Sequence, residues 1–357
     1  MLIPVLLLIA GVGVYVKQKP QKYHMIIIVF LAFLMWRAEN IPDFDNYTRV
    51  YNYIGTGAYY TDTGVGWLYL CRFGHRLGLD YKGFTILAVI LSGLLLRRGV
   101  RYFVKNPRIE AVVWSLFLIY PALLECVQIR FFVAEAVVIY ALHFLEKPGV
   151  KNSILYGALV LAAYTIHSSA LFYLVLLLVP VLKKFQKILI LMVAVVSAAL
   201  MVGKSQVIAL ASLFLNQVRI DRYFGSTDSV GALGLAAYLT TLGLFSFVSY
   251  RCTKLAKENH LTPQTVRLTE LFHSCNTFMW MVIPFTFFDT NFFRIQRPMW
   301  IMFYVVISVM IKENVPFLPL YGKKRLLFQH CGMMTALFGL VFYIAAFTFN
   351  IIQCFLL

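Results

Sequence analysis

The stretch that decides the fold is "ILYGALVLAAYTIHSSALFYLVLLLVPVL", residues 154–182, which holds no Asp, Glu, Lys or Arg. A helix that crosses a membrane needs about 20 apolar residues, so this stretch is long for a single span. It fits two short spans that reverse sharply at His167, Ser168 and Ser169. We therefore predict a helical reversal at His167, with the imidazole at the mouth of both helices.

The rest of the chain has the composition of an integral membrane protein. It is 357 residues long, 61% hydrophobic and 13% charged, whereas soluble domains are about 25% charged. Apolar runs separated by short basic clusters recur from end to end. We expect an all-α, polytopic membrane protein with residues 1–357 in a single domain.

The net charge of +17 is interpreted as a topology signal and not as a nucleic-acid-binding surface, because cytoplasmic loops carry an excess of Lys and Arg. Most of these residues fall in six clusters. If all six are cytoplasmic, an even number of spans must separate each pair, and this holds for 12 spans with both termini outside. The predicted spans are 2–16, 23–37, 83–97, 110–124, 129–145, 153–166, 168–182, 186–203, 231–250, 268–288, 298–311 and 329–355.

Two short features are set apart from these spans. The segment from Gly66 to Leu79 is short and basic, so it is expected to be an interfacial or re-entrant helix on the outer side. The first span lacks the basic leader and cleavage site of a signal peptide and is kept as a helix.

The six cysteines show no metal-ligand spacing, so we expect buried thiols, no metal and no cofactor.

Apart from the six basic clusters, several basic residues are predicted to lie at the outer ends of helices. Arg130 lies just inside its span, and the nearby Glu125 and Gln128 favour a polar pocket over an arginine that anchors to lipid headgroups. Arg294 and Arg297 precede a span that opens with a proline, so they should project beside the exposed N–H groups of that helix. Such an arrangement suits phosphate, pyrophosphate or carboxylate, and headgroup anchoring is the alternative.

A tyrosine-rich acidic segment follows the second span. Asp43 and Asp45 are followed by five tyrosines, of which Tyr47 is the first. Sugar sites stack pyranose rings on aromatic faces and bind the hydroxyls with carboxylates. We predict a carbohydrate site at this segment, with an aromatic belt at the membrane interface as the alternative. By the count of spans, His167 lies on the same outer side of the membrane. Its side chain either enters the predicted carbohydrate site or caps the turn between the two helices.

Four sequence motifs occur in order along the chain: "PDFDNY" (42–47), "QIRFFVAEAVVIYALHFLEK" (128–147), "LVLAAYTIHSSALFYL" (159–174) and "FFRIQRPMWIMFYVV" (292–306). Together they resemble the EpsG-like group of Wzy-type polysaccharide polymerases. The resemblance covers residues from about 37 to 311. Two departures are visible: Phe131 stands where members often have glutamine, and residues 63–66 lack a glutamate that members often carry.

The resemblance implies an enzyme of the bacterial cytoplasmic membrane that joins lipid-linked oligosaccharide repeats at the outer face. The growing chain would pass from undecaprenyl pyrophosphate to a sugar hydroxyl of the incoming repeat. The implied partners are this lipid-linked oligosaccharide, membrane lipids and a chain-length regulator. The expected catalytic residues are Asp43, Asp45 and His167, and the expected substrate-binding residues are Tyr47, Arg130, Ser169, Arg294 and Arg297.

Two other classes of membrane protein are weighed against this one. A transporter or flippase of lipid-linked sugars would also need a basic polar cavity, but it should show internal repeats and charges spread through the depth of its helices. A membrane acyltransferase would also place a histidine among hydrophobic helices. Its histidine should lie towards a cytoplasmic acyl donor, whereas His167 counts to the outer end.

The parity of the basic loops predicts the side of each segment. Single cysteines introduced between residues 42 and 60 should react with a membrane-impermeant thiol reagent in intact cells. Cysteines at 97–108 and 251–267 should react only after permeabilisation. Labelling of the 42–60 segment only after permeabilisation would contradict the predicted outer face and the site assigned to it.

Overall fold

The part of the chain that the structure describes is mostly helical. The computed structural model describes residues 2–15, 20–38, 41, 44–60, 63–213, 217–225 and 231–313. These residues contain no β-strand, so the all-α class is confirmed. The predicted span at 329–355 lies outside the described residues, as do Asp43, Cys331 and Cys354.

Within the described residues, the α-helices follow one another along the chain with short connections. The first nine are α1 (Leu2–Tyr15), α2 (Tyr23–Arg37), α3 (Phe44–Gly55), α4 (Val65–Arg76), α5 (Tyr81–Phe103), α6 (Pro107–Ile119), α7 (Ala122–Val127), α8 (Ile129–Ala141) and α9 (Val150–Ile166). They are followed by α10 (Val179–Leu182), α11 (Gln186–Val202), α12 (Lys204–Ser212), α13 (Gln217–Phe224), α14 (Ala232–Glu258), α15 (Pro263–Met279), α16 (Ile283–Thr286) and α17 (Arg297–Lys312). Segments of 3₁₀ helix lie at Pro20–Lys22, Leu142–Leu145, Ser168–Leu178, Trp280–Val282 and Thr290–Gln296.

The predicted spans between residues 2 and 311 all fall on helical segments. The first two match α1 and α2 to within one residue. By length and composition, one described helix, α5, is long and apolar enough to cross a membrane. Shorter apolar helices lie at Val150–Ile166, Ser168–Leu182 and Gln186–Val202. The number of about 12 crossings therefore stays a prediction.

Pro121 divides the predicted span 110–124 into two helices. A residue before proline is sterically disfavoured in the helical region, and Tyr120 is extended, with φ −158° and ψ 135°. The chain resumes as α7, which carries the buried Glu125. Gln128 then separates α7 from α8, so Arg130 stands in the first turn of a new helix.

The chain reverses at His167 as predicted. Helix α9 ends at Ile166, and the 3₁₀ segment begins at Ser168. The hydroxyl of Tyr156 donates a hydrogen bond of 2.9 Å to the carbonyl of Tyr173, on the other side of His167 in the sequence. The two segments therefore lie side by side and run antiparallel.

Residues 44–55, expected as part of an outer loop, form the helix α3. Its Tyr51 is buried, and the ring stacks on His75 of α4 with 4.0 Å between centroids. The Tyr51 hydroxyl donates to the carbonyl of Leu79 at 2.9 Å, and burial raises the pKa of Tyr51 to about 12. Tyr51 therefore fastens α3 to α4 and is not available to stack on a sugar.

Helix α4 corresponds to the short helix predicted at Gly66–Leu79, and its N-terminus lies against the end of α9. A Cβ atom at Gly64 would meet the carbonyl oxygen of Thr165 at 2.1 Å, and one at Gly66 would meet Thr165 Oγ1 at 2.2 Å. Glycine is required at both positions because no side chain fits between the two segments. The contact holds the start of α4 against a residue that lies two positions before His167.

We expect Gly64→Ala to destabilise the protein by about 1–3 kcal/mol, because the obstructing atom belongs to the backbone and α4 must move away from α9. The matched control is Gly243→Ala in α14, where nothing lies within 4 Å of the new Cβ. Alanine there should be neutral or stabilising by up to about 1 kcal/mol. The thermal unfolding midpoint in detergent measures both, and equal midpoints for the two variants would contradict the close contact.

Candidate active site

The side chain of His167 caps the N-terminus of the 3₁₀ segment that begins at Ser168. Its backbone is extended, and Nδ1 accepts a hydrogen bond from the backbone N–H of Ser169 at 3.3 Å. The Ser169 hydroxyl lies 2.7 Å from the same nitrogen. Because Nδ1 is an acceptor, the proton of the neutral imidazole is assigned to Nε2. His167 in this state is suited to donate a hydrogen bond to an anionic oxygen.

Arg130 lies beside the residue that precedes His167. Its Nη2 atom donates to the carbonyl of Ile166 at 3.4 Å, and its Cζ atom lies 5.8 Å from the ring centroid of Trp67. Trp67 belongs to α4 and is buried. The guanidinium thus lies between the end of α9 and α4, in the half-buried setting expected of a helix mouth.

Arg294 projects from the 3₁₀ segment that precedes α17. Asp289 caps this segment by accepting the N–H of Asn291 at 2.6 Å. Asn291 in turn accepts from Arg294 twice, through its backbone carbonyl at 2.8 Å and through its side-chain oxygen. The guanidinium is therefore held in a defined orientation, because two points of contact fix the plane of the group.

Arg297 lies in the protein interior and not at a surface. Its Nη1 atom lies 2.7 Å from Glu125 Oε1, with 3% and 0% of the two side chains exposed. Its Nη2 atom donates to Gln128 Oε1. The carboxyl of Glu135 is also buried beside Glu125. The sequence suggested that Glu125 and Gln128 surround Arg130, but in the structure they bind Arg297.

A cavity of about 330 Å³ opens beside the reversal. Its polar lining comes from two segments, residues 167–169 and the 3₁₀ segment that holds Asn291 and Arg294. The other lining residues are apolar and come from the reversal, from α11 to α13 and from residues 285–295. Of the predicted site residues, the cavity brings together His167, Ser169 and Arg294.

The remaining predicted site residues lie elsewhere. Asp45 is exposed in the first turn of α3, and Tyr47 is half-buried against the core. Neither lines the cavity, and neither does Arg130 or Arg297. Asp43 falls outside the described residues. In the part of the chain that the structure describes, no group of three His, Cys, Asp or Glu side chains could hold a metal ion, and four cysteines are buried free thiols.

The EpsG family model matches residues 22–356. The chain belongs to the EpsG family. Members of this family are Wzy-like polysaccharide polymerases of the membrane. No curated protein and no solved structure shows significant similarity to the chain.

In this EpsG-family chain, Phe131 connects the buried arginine to the histidine. The Arg297 Cζ atom lies 4.4 Å from the centroid of the Phe131 ring. The His167 ring meets the same phenyl ring edge to face, with 5.5 Å between centroids. Phe131, one of the two departures from the expected family pattern, therefore packs between the two groups.

Sequence reasoning missed two members of this site. Asn291 orients Arg294, and Ser168 lines the cavity beside Ser169. A signal for Asn291 is present, since it follows Asp289 in a short polar segment next to two arginines. The pairing of Glu125 with Arg297 has no local signal, because 172 positions separate the two residues.

Breaking the buried ion pair from the carboxyl side should be costly. We expect Glu125→Ala to lower stability by about 3–5 kcal/mol, since it leaves a buried guanidinium that cannot lose its proton. The double variant Glu125→Ala with Arg297→Met should regain most of this loss. Thermal unfolding midpoints in detergent, with membrane abundance, are the measurement.

The control for this prediction is the exposed pair of Lys254 and Glu258, whose charged atoms are 3.6 Å apart on α14. Glu258→Ala should change stability by less than about 1 kcal/mol. A mild effect of Glu125→Ala, or a double variant as unstable as the single one, would show that the ion pair does not constrain the packing of α7 against α17.

Proposed function

We propose that this protein polymerises lipid-linked oligosaccharide repeats at the outer face of the bacterial cytoplasmic membrane, in which it is a multi-pass protein. The family supports a membrane polymerase of polysaccharides. The observation that carries the finer proposal is one cavity that combines an oriented guanidinium, an imidazole N–H and apolar walls. These groups suit a donor that is both anionic and lipid-linked.

The reaction is a displacement at the anomeric carbon of the growing chain. The bond from this carbon to the pyrophosphate oxygen breaks, and a glycosidic bond forms to the hydroxyl oxygen of the incoming repeat. The hydroxyl proton passes to a basic group or to water, and polyprenyl pyrophosphate leaves with the bonding electrons. Catalysis therefore requires cationic or N–H groups where negative charge develops on the leaving group.

Arg294 and His167 are proposed to stabilise this leaving group. Asn291 binds the Nε and Nη2 atoms of Arg294, and Arg294 lines the cavity, where it is proposed to bind a phosphate. His167 donates through Nε2–H. Arg130 is proposed to bind the outer phosphate or the first sugar from its position beside Ile166. Asp43, or Asp45 in the first turn of α3, is proposed to accept the proton of the attacking hydroxyl.

Arg297 changes its role in this proposal. The sequence assigned it to substrate binding, but its guanidinium is buried and already bound to Glu125 and Gln128. We assign it to positioning, because it packs Phe131 against His167. Ser169 also has a positioning role, since it holds the His167 ring through Nδ1.

The test is a pair of Arg to Lys variants in cells that lack the native gene. Arg294→Lys keeps the charge but cannot bind Asn291 and a phosphate at once, so we expect polymer to fall by roughly 10-fold to 100-fold. Arg130→Lys should also lose most polymer. The measurement is polymer length and amount on a gel, normalised to membrane abundance.

The matched control is Arg76→Lys, because Arg76 is at the surface of α4 and lines no part of the cavity. It should make full-length polymer. If Arg130→Lys makes normal polymer and Arg294→Lys does not, Arg294 binds the pyrophosphate without Arg130. If both make full-length polymer at normal abundance, the arginines are headgroup anchors and the proposed mechanism is wrong.

A further inference from the structure

The walls of the cavity are far more apolar than a carbohydrate site requires. Phe172, Leu200, Val207 and Phe285 all line it, and the described lining residues include no carboxylate. Sugar hydroxyls need hydrogen-bonding partners, and burying them against such walls would leave them unsatisfied. The cavity therefore suits a hydrocarbon, with the exception of the edge formed by residues 167–169, Asn291 and Arg294.

The short helix α13 contributes Phe224 to the lining of the cavity. On α13, Ile220 and Phe224 are buried one turn apart, while Gln217 and Asp221 are exposed and hydrogen-bonded to each other at 2.8 Å. Phe224 packs edge to face on Phe288 with 5.0 Å between ring centroids. Gln217 and Asp221 are thus on the exposed side of α13, while Phe224 lines the cavity.

We propose that this cavity binds the part of a polyprenyl chain that is nearest to its pyrophosphate. The inference rests on the proposed function, since the same Arg294 would hold the pyrophosphate of the lipid-linked donor. Hydrocarbon attached to a phosphate at Arg294 must lie within the same cavity, because Arg294 and the apolar residues line one continuous space.

The size of the cavity supports this occupant. A volume of about 330 Å³ is at the lower end of the range of about 300–1,000 Å³ for small-molecule pockets. It takes only the first part of a long chain, and the remainder extends into the bilayer. The repeat-unit sugars then lie on the other side of the pyrophosphate, outside the apolar cavity.

The test measures binding without turnover. A short prenyl pyrophosphate with a benzophenone at its far end is photo-crosslinked to the full-length protein in detergent, and labelled peptides are mapped. We expect labelling within 204–225 and 285–296. Undecaprenyl pyrophosphate should compete for the site at least about tenfold better than phosphatidylglycerol. This difference corresponds to roughly one additional buried apolar group together with the contact between the pyrophosphate and Arg294.

Ala211→Trp fills the cavity from α12, because Ala211 lines it. It should reduce this labelling by about tenfold or more. The matched control is Ala209→Trp on the same helix, which is exposed and lines no part of the cavity, and it should label normally. Ala211→Leu, with a smaller side chain, should give an intermediate loss and replaces the Trp variant if that one does not reach the membrane.

The results distinguish a failure of the polyprenyl site from a failure of the proposed function. Labelling elsewhere, equal competition by phosphatidylglycerol, or no effect of the Ala211 variants would overturn the polyprenyl site, even if the protein polymerises. In the opposite case, labelling that follows the predictions in a protein that makes no polymer would overturn the proposed function and leave the lipid site standing.

Discussion

The buried ion pair of Glu125 and Arg297 is the constraint on which the packing around His167 depends. It joins α7 to the first residue of α17 across 172 positions of sequence. Its two side chains are closed off from water, so neither can be satisfied by solvent. Such a pair adds little net stability against an apolar alternative, but any arrangement that separates the partners is strongly penalised. It therefore selects one packing of the two segments.

The pair also determines what surrounds His167. Since Arg297 is held by Glu125 and Gln128, one face of its guanidinium packs on Phe131. Phe131 contacts the His167 ring, and the neighbouring Arg130 contacts Ile166. The start of α8, the end of α9 and the start of α17 consequently meet at one place. The 3₁₀ segment with Arg294 immediately precedes α17 and is carried to the same end.

Sequence patterns described the individual helices well and the roles of single arginines less well. The helical segments could be predicted because each one coincides with a continuous apolar run in the sequence. Arg294 and Arg297 are three residues apart and share the same local signal, yet one lines the cavity and the other is buried. Tyr51 likewise resembles its neighbouring tyrosines in sequence, but it is the one that fastens α3 to α4.

What the sequence determined by itself is the all-helical class, the reversal at His167, the short helix α4 and the resemblance to the EpsG family. These depend on hydrophobic runs, on turn residues and on motifs that are local along the chain. Only the tertiary structure decided which carboxylate neutralises which arginine, and which polar groups share the apolar cavity. Those choices depend on contacts between segments far apart in sequence, where any exposed arginine and any buried one look alike until the helices are packed.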